Sequence, residues 1–220
     1  MNTNASAKRI LCYGDANTWG QKPDKSGRYA AYIRWTGVVQ NILGDEYEII
    51  EEGLGGRTVN LDNPARTGRN GKVYLAPCLQ SHNPLDMVII MLGTNDLKMS
   101  YETNAKNIAL NILGLVDDVY QYSSTAYDKN PRVILMSPIH INPDAPRFVQ
   151  FYKEDFSYSS GEESKKLSTQ LSALARKHNI GFIDAAAYAQ AGEDGLHLSL
   201  ASCQTLGQAV AKTIAKLTTS

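Results

Sequence analysis

An apolar run at residues 10–13 stops abruptly at Gly14-Asp15. A short, wholly apolar run reads as a buried strand, and a Gly-Asp break there opens it into a loop that can carry polar groups. Further strand-length runs, rich in apolar residues, recur at 47–50, 87–92, 133–136 and 180–183. The run 87–92 is apolar throughout, as expected of a strand covered on both faces. Helical spacing fills the intervals: Trp35, Val38, Val39 and Ile42, stopped by Gly44; a short helix over 73–79, broken by Asn83-Pro84; Ile108, Ile112, Leu115 and Val119; Leu167, Leu171 and Leu174; and Leu206, Val210, Ile214 and Leu217. Strands alternating with helices predict an α/β fold with a five-stranded parallel sheet between two helical layers. The segments 20–34, 51–58, 59–71 and 139–160 read as loops, the second glycine-rich and the last irregular and aromatic-rich.

A chain of 220 residues suits one domain over 1–220. Lys plus Arg balances Asp plus Glu at 22 each, so no net field points to nucleic acid or an anionic membrane as partner. No apolar stretch approaches the roughly 18 residues of a bilayer span. Residues 1–9 are polar and lack an apolar signal core, so the expected location is cytoplasmic. Cys12, Cys78 and Cys203 are an odd set without metal spacing. They read as free, buried thiols, and neither metal nor cofactor is expected.

The polar motifs all follow strands, and in open sheets ligands bind at the carboxyl ends of strands. Asp194 and His197, three residues apart, can face each other. A carboxylate accepting from one imidazole nitrogen orients the other outward as a base; alone, such a pair is more often a solvated turn. Gly93-Thr94-Asn95-Asp96 ends the third strand, where an Asn amide can face a developing oxyanion or merely close a turn. Gly55 and Gly56 allow close backbone approach, so an N–H there can serve the same oxyanion. Asp15 can hold the first loop through backbone hydrogen bonds. Together these groups describe an acyl-transfer site that lacks a hydroxyl to attack.

In four motifs taken in chain order the sequence resembles the SGNH (GDSL-type) hydrolases. Gly14-Asp15-Ala16 is similar to the Gly-Asp-Ser block with serine replaced. Gly56 falls on the second block, Gly93-x-Asn95-Asp96 on the third, and Asp194-x-x-His197 on the last. The segments around Arg9–Gly20, Glu51–Thr58 and Pro84–Asp96 resemble the mycobacterial aryl esterase/acyltransferase (perhydrolase) branch. The resemblance implies a flavodoxin-like three-layer sandwich and metal-free ester chemistry. It also implies acyl transfer to alcohols or peroxide, and a homo-oligomer whose neighbouring subunits narrow the site. Carried over, His197 is the base and Asp194 its partner, and the N–H groups of Ala16 and Gly56 with the Asn95 amide form an oxyanion hole.

The expected function is that of a serine esterase/acyltransferase on short acyl esters of alcohols or sugars, working through an acyl-enzyme. Ala16 then has three readings: an engineered loss of serine, a natural binding protein for an acylated small molecule or glycan, or an enzyme with another nucleophile. The first is favoured because Asp194, His197, Asn95 and Gly56 all stand. Thr18, two residues along the turn, should point elsewhere. Further candidates for lining the substrate are Trp19, Arg57, His140 and Tyr158, besides Asp15 and Gly55; for Arg57, bracing of the second motif is the favoured reading. The aromatic segment from Phe148 to Tyr158 reads as a lid or, slightly favoured, a subunit contact.

Overall fold

The computed structural model describes residues 2–127 and 129–218. Five strands form one parallel sheet in the order β2-β1-β3-β4-β5: β1 Lys8–Gly14, β2 Tyr47–Gly53, β3 Met87–Met91, β4 Arg132–Ser137 and β5 Gly181–Asp184. The described residues form seven α-helices: α1 Ala16–Trp19, α2 Trp35–Leu43, α3 Gly71–His82, α4 Ala105–Tyr122, α5 Phe148–Tyr152, α6 Tyr158–Lys177 and α7 Leu200–Thr218.

Alternation along the strands divides the core. Leu11 and Tyr13 of β1, Val88 and Ile90 of β3, and Val133 and Leu135 of β4 pack with α3, α4 and α6. Ile10 and Cys12, Met87, Ile89 and Met91, and Ile134 and Met136 face the other way, against α2 and α7. Side chains two apart share a face of a strand, so both sheet faces are apolar and each needs a helical layer. The expected three-layer α/β sandwich is what the chain forms.

Several boundaries differ from the sequence reading. The second strand runs on to Gly53, because Cys12, Tyr13 and Gly14 pair with Glu51, Glu52 and Gly53. Gly53 must be small: a Cβ there would lie 2.1 Å from the backbone nitrogen of Trp19. The segment 139–160 is not irregular throughout. It contains α5 and the start of α6, whose cap is Ser157: its side chain accepts from the N–H of Ser160, which reciprocates. α3 extends in both directions from 73–79, capped by Asn70 and carrying Pro77 inside it. No helix among the described residues is long and apolar enough to cross a membrane. The described Cys12, Cys78 and Cys203 are all free and buried, as expected.

β1 lies between β2 and β3, so the chain leaves it to opposite sides. The crevice outside the carboxyl ends of the strands at such a switch point is where α/β sheets hold ligands. The loops that follow β1, β2 and β3 meet there.

Candidate active site

β1 gives way at Gly14 to Asp15, the N-cap of α1, whose Oδ1 accepts the N–H of Asn17 at 2.9 Å. Ala16 is thus the first helical residue, where an N–H has no intrahelical acceptor. Thr18 is wholly buried and folds back over Gly14, where a Cβ would meet its hydroxyl at 2.1 Å. The nearest hydroxyl in sequence therefore points away, as expected.

The second loop is tied to the first. The N–H of Leu54 donates to the Gly14 carbonyl at 3.1 Å, and Arg57 closes the turn onto Leu54 at 3.0 Å. Gly56 sits in this turn with φ of +83°, a conformation that favours glycine. Its N–H donates to no acceptor among the described residues. Arg57, 2% exposed, reaches under the turn to the carbonyls of Gly14, at 2.8 Å, and Glu52. Its guanidinium lies 4.2 Å from the Tyr13 ring centroid.

Asn95 follows β3 and joins both loops. Its Nδ2 donates to the Arg57 carbonyl at 3.1 Å and to Asp15 Oδ2 at 3.3 Å. The second contact is the longer of the two. Burial raises the Asp15 carboxyl above the ordinary carboxylate range, against the lowering effect of its bond from Asn17. Burial also pushes Asp96 up to about 7, although both its oxygens accept the Val59 N–H.

The fourth loop follows β5. Asp194 is fully buried; its Oδ1 accepts the N–H groups of Leu196, at 3.0 Å, and His197, at 2.9 Å. Its Oδ2 lies 2.6 Å from His197 Nδ1, which fixes the ring and leaves Nε2 free. Gly195, with φ of +74°, packs where a Cβ would strike the Asn142 carbonyl at 2.1 Å. Two residues escaped the sequence reading. Asn17 clamps the His197 loop to α1, donating to the Leu196 carbonyl at 3.2 Å and accepting the Leu198 N–H at 2.9 Å. The Tyr152 hydroxyl lies 3.4 Å from both Asp194 Oδ2 and His197 Nδ1. Asn17 sits beside the Gly-Asp block and so carried a local signal. Tyr152 carried none, because it meets the pair only through a contact 45 residues away.

These loops enclose a cavity of about 320 Å³ lined by Asp15, Ala16, Gly55, Gly56, Asn95 and His197, with Asn17, Phe151, Tyr152 and Phe156. Of the sequence-predicted groups, Asp15, Ala16, Gly55, Gly56, Asn95 and His197 share this pocket, with Asp194 behind His197. Trp19, Arg57, His140 and Tyr158 do not line it. Trp19 packs on its own loop, with the Arg28 guanidinium 5.1 Å from the indole. Arg57 is the brace just described. His140 follows β4, and Tyr158 is 67% exposed, with its hydroxyl on Asp144. The aromatic segment supplies part of the pocket wall through Phe151, Tyr152 and Phe156.

Among the described residues, one other cluster has metal-ligand chemistry: Glu52, Cys78 and His82, with ligand atoms within 4.8 Å of one another. It lies between β2 and α3, and none of the three lines the pocket. His82 Nε2 already pairs with Glu52 at 2.8 Å, and burial pushes the Cys78 thiol up to about 12.

Residues 12–203 match the family model of the GDSL-like lipase/acylhydrolase family. Among solved structures, the native aryl esterase of M. smegmatis is 38% identical, with a TM-score of 0.86, over 96% of this chain and 100% of that one. A carbohydrate acetylesterase from Sinorhizobium meliloti is also 38% identical, with a TM-score of 0.86, over 96% and 99%. Among the curated proteins no match is found.

Proposed function

Because the chain belongs to the GDSL-like lipase/acylhydrolase family, we propose that its pocket is built for serine ester hydrolysis and acyl transfer, with position 16 as the nucleophile position and Ala16 as its inactivated form. The observation that carries this reading is the Asp194–His197 pair, 2.6 Å apart, whose histidine lines the pocket that also holds Ala16.

With serine at 16, His197 Nε2 takes the hydroxyl proton while the oxygen attacks the ester carbonyl. Asp194 holds the imidazole in the tautomer with its proton on Nδ1 and stabilises the imidazolium that forms. Negative charge develops on the carbonyl oxygen beside the N–H groups of residues 16 and 56 and the Asn95 amide. Each preorganised donor of this kind is worth about 3 kcal/mol in the transition state. His197 then gives its proton to the leaving alcohol. Water, or a second alcohol, releases the acyl group by the reverse path.

The proposed substrates are short acyl esters, acetyl-type, of alcohols or sugars. The modest cavity and the similarity to an aryl esterase and a carbohydrate acetylesterase support that class. We also propose a homo-oligomer, with Val149 and Tyr158, 61% and 67% exposed, in a subunit contact. Analytical ultracentrifugation tests it. A second reading has one observation behind it: with alanine at 16 and the pocket otherwise complete, the chain would bind an acylated small molecule or glycan without cleaving it.

A fluorophosphonate probe separates the two. The Ala16→Ser protein should gain one covalent adduct on residue 16 by mass spectrometry, and His197→Ala in that background should suppress it. No adduct in Ala16→Ser would contradict the hydrolase reading.

A further inference from the structure

The second loop brings guanidinium groups to the pocket without a carboxylate to meet them. Arg69 Nε donates to the Gly55 carbonyl at 2.9 Å, and Arg66 Nη2 reaches the same oxygen at 3.3 Å. Two cations therefore share one neutral acceptor. Neither has a carboxylate within 4.0 Å among the described residues. Crowding registers on Arg69, whose pKa is lowered first by burial and then by Arg66 and Arg57.

Arg66 is the one of these that lines the cavity. It covers Gly56: a Cβ on that glycine would lie 3.0 Å from Arg66 Nη1. The guanidinium thus stands beside the residue proposed to receive the oxyanion. Lys25 also lines the cavity, its Nζ 4.2 Å and 4.4 Å from the ring centroids of Phe151 and Tyr152 and without a carboxylate partner. Lys98 is already matched by Asp155 at 3.2 Å. Among the acids at the pocket, Asp15 is spent on Asn17 and Asn95 and Asp155 on Lys98. The uncompensated charge is positive. A guanidinium fork fits a carboxylate through two parallel N–H···O bonds.

We propose that the pocket selects esters bearing a carboxylate within about one ring of the scissile carbonyl, with Arg66 as its partner and Arg69 holding Arg66's loop through the shared Gly55 carbonyl. This rests on the proposed hydrolase reading for catalysis, but the anion site has its own readout in binding.

The test uses 3-acetoxybenzoate and the hemisuccinate of phenol, which place the carboxylate on the alcohol and acyl sides, each against its methyl ester. Calorimetry on the Ala16 protein should show at least one acid binding about tenfold tighter than its methyl ester at low salt. The preference should shrink as salt shortens the screening length, and Arg66→Gln should remove it. In the Ala16→Ser protein the ratio of kcat/KM for that acid over its methyl ester should fall about tenfold on Arg66→Gln. Equal affinity for acids and methyl esters, or a ratio indifferent to Arg66→Gln, overturns the inference. Turnover of the methyl esters by Ala16→Ser in that case leaves the hydrolase reading standing. Selective binding through Arg66 with no turnover by Ala16→Ser keeps the anion site and overturns the hydrolase reading instead.

Discussion

Replacing Asn17 by alanine separates the base from the turn it must serve. Asn17 is 4% exposed, and its amide accepts the Leu198 N–H at 2.9 Å and donates to the Leu196 carbonyl at 3.2 Å. Those two residues flank His197. Truncation leaves one N–H and one carbonyl buried without partners, and each such group costs about 1–3 kcal/mol. The longer of the two bonds belongs at the low end, so the sum is about 3 kcal/mol. At about 2–4 °C per kcal/mol for a chain of this size, the melting temperature should fall by roughly 6–12 °C. A base displaced by about 1 Å loses roughly 10²-fold in rate, and that is the expected drop in kcat/KM of Asn17→Ala placed in the Ala16→Ser protein. Thermal unfolding of the Ala16 chain gives the first number and ester hydrolysis the second. A melting temperature within about 2 °C and a rate within about twofold of the parent would refute the clamp.

Asp96→Asn should make stability less dependent on pH. Asp96 has a folded-state pKa of about 7 against an ordinary 3.8, so its contribution is full below about 3.8 and is lost as pH rises through about 7. The stability of Asp96→Asn relative to the parent should therefore climb by roughly 1.4 kcal/mol per pH unit across that window. Urea unfolding at several pH values measures it, and a flat difference contradicts it. In the Ala16→Ser background, Asp194→Asn should lower kcat about 10⁴-fold, because the amide no longer holds the imidazole tautomer; steady-state assay on correctly folded protein checks this. Tyr152→Phe in the same background should change kcat by less than about fivefold, since contacts at 3.4 Å are weak hydrogen bonds. A hundredfold loss would mean that the hydroxyl orients the pair.

The central strands were legible because Met87–Met91 and its neighbours are buried on both faces and carry no competing signal. The end of β2 was not. Glu51, Glu52 and Gly53 look like a turn, yet they sit on an edge strand where Glu51 pairs with Arg28 and Arg34 and Glu52 with His82. The start of α6 was missed because its first turns, Tyr158 to Lys166, are mostly polar. Ser157 and Ser160 carried the cap signal, but without an acidic residue at the third position to advertise it. The candidate site was readable because each polar group follows a strand. Its support was harder: Asn17 looks like turn filler, and its two bonds to the His197 loop span about 180 residues of sequence. Trp19, His140 and Tyr158 were over-read, since being aromatic or ionisable near a motif does not fix which way a side chain faces.

The most direct test is the hydrolysis of a short acyl ester by the Ala16→Ser protein beside the Ala16 chain. The expected gain in kcat is of order 10⁴–10⁶, abolished by His197→Ala in the same background and indifferent to chelators. An Ala16→Ser protein as inert as the Ala16 chain, with His197→Ala changing nothing, would contradict it.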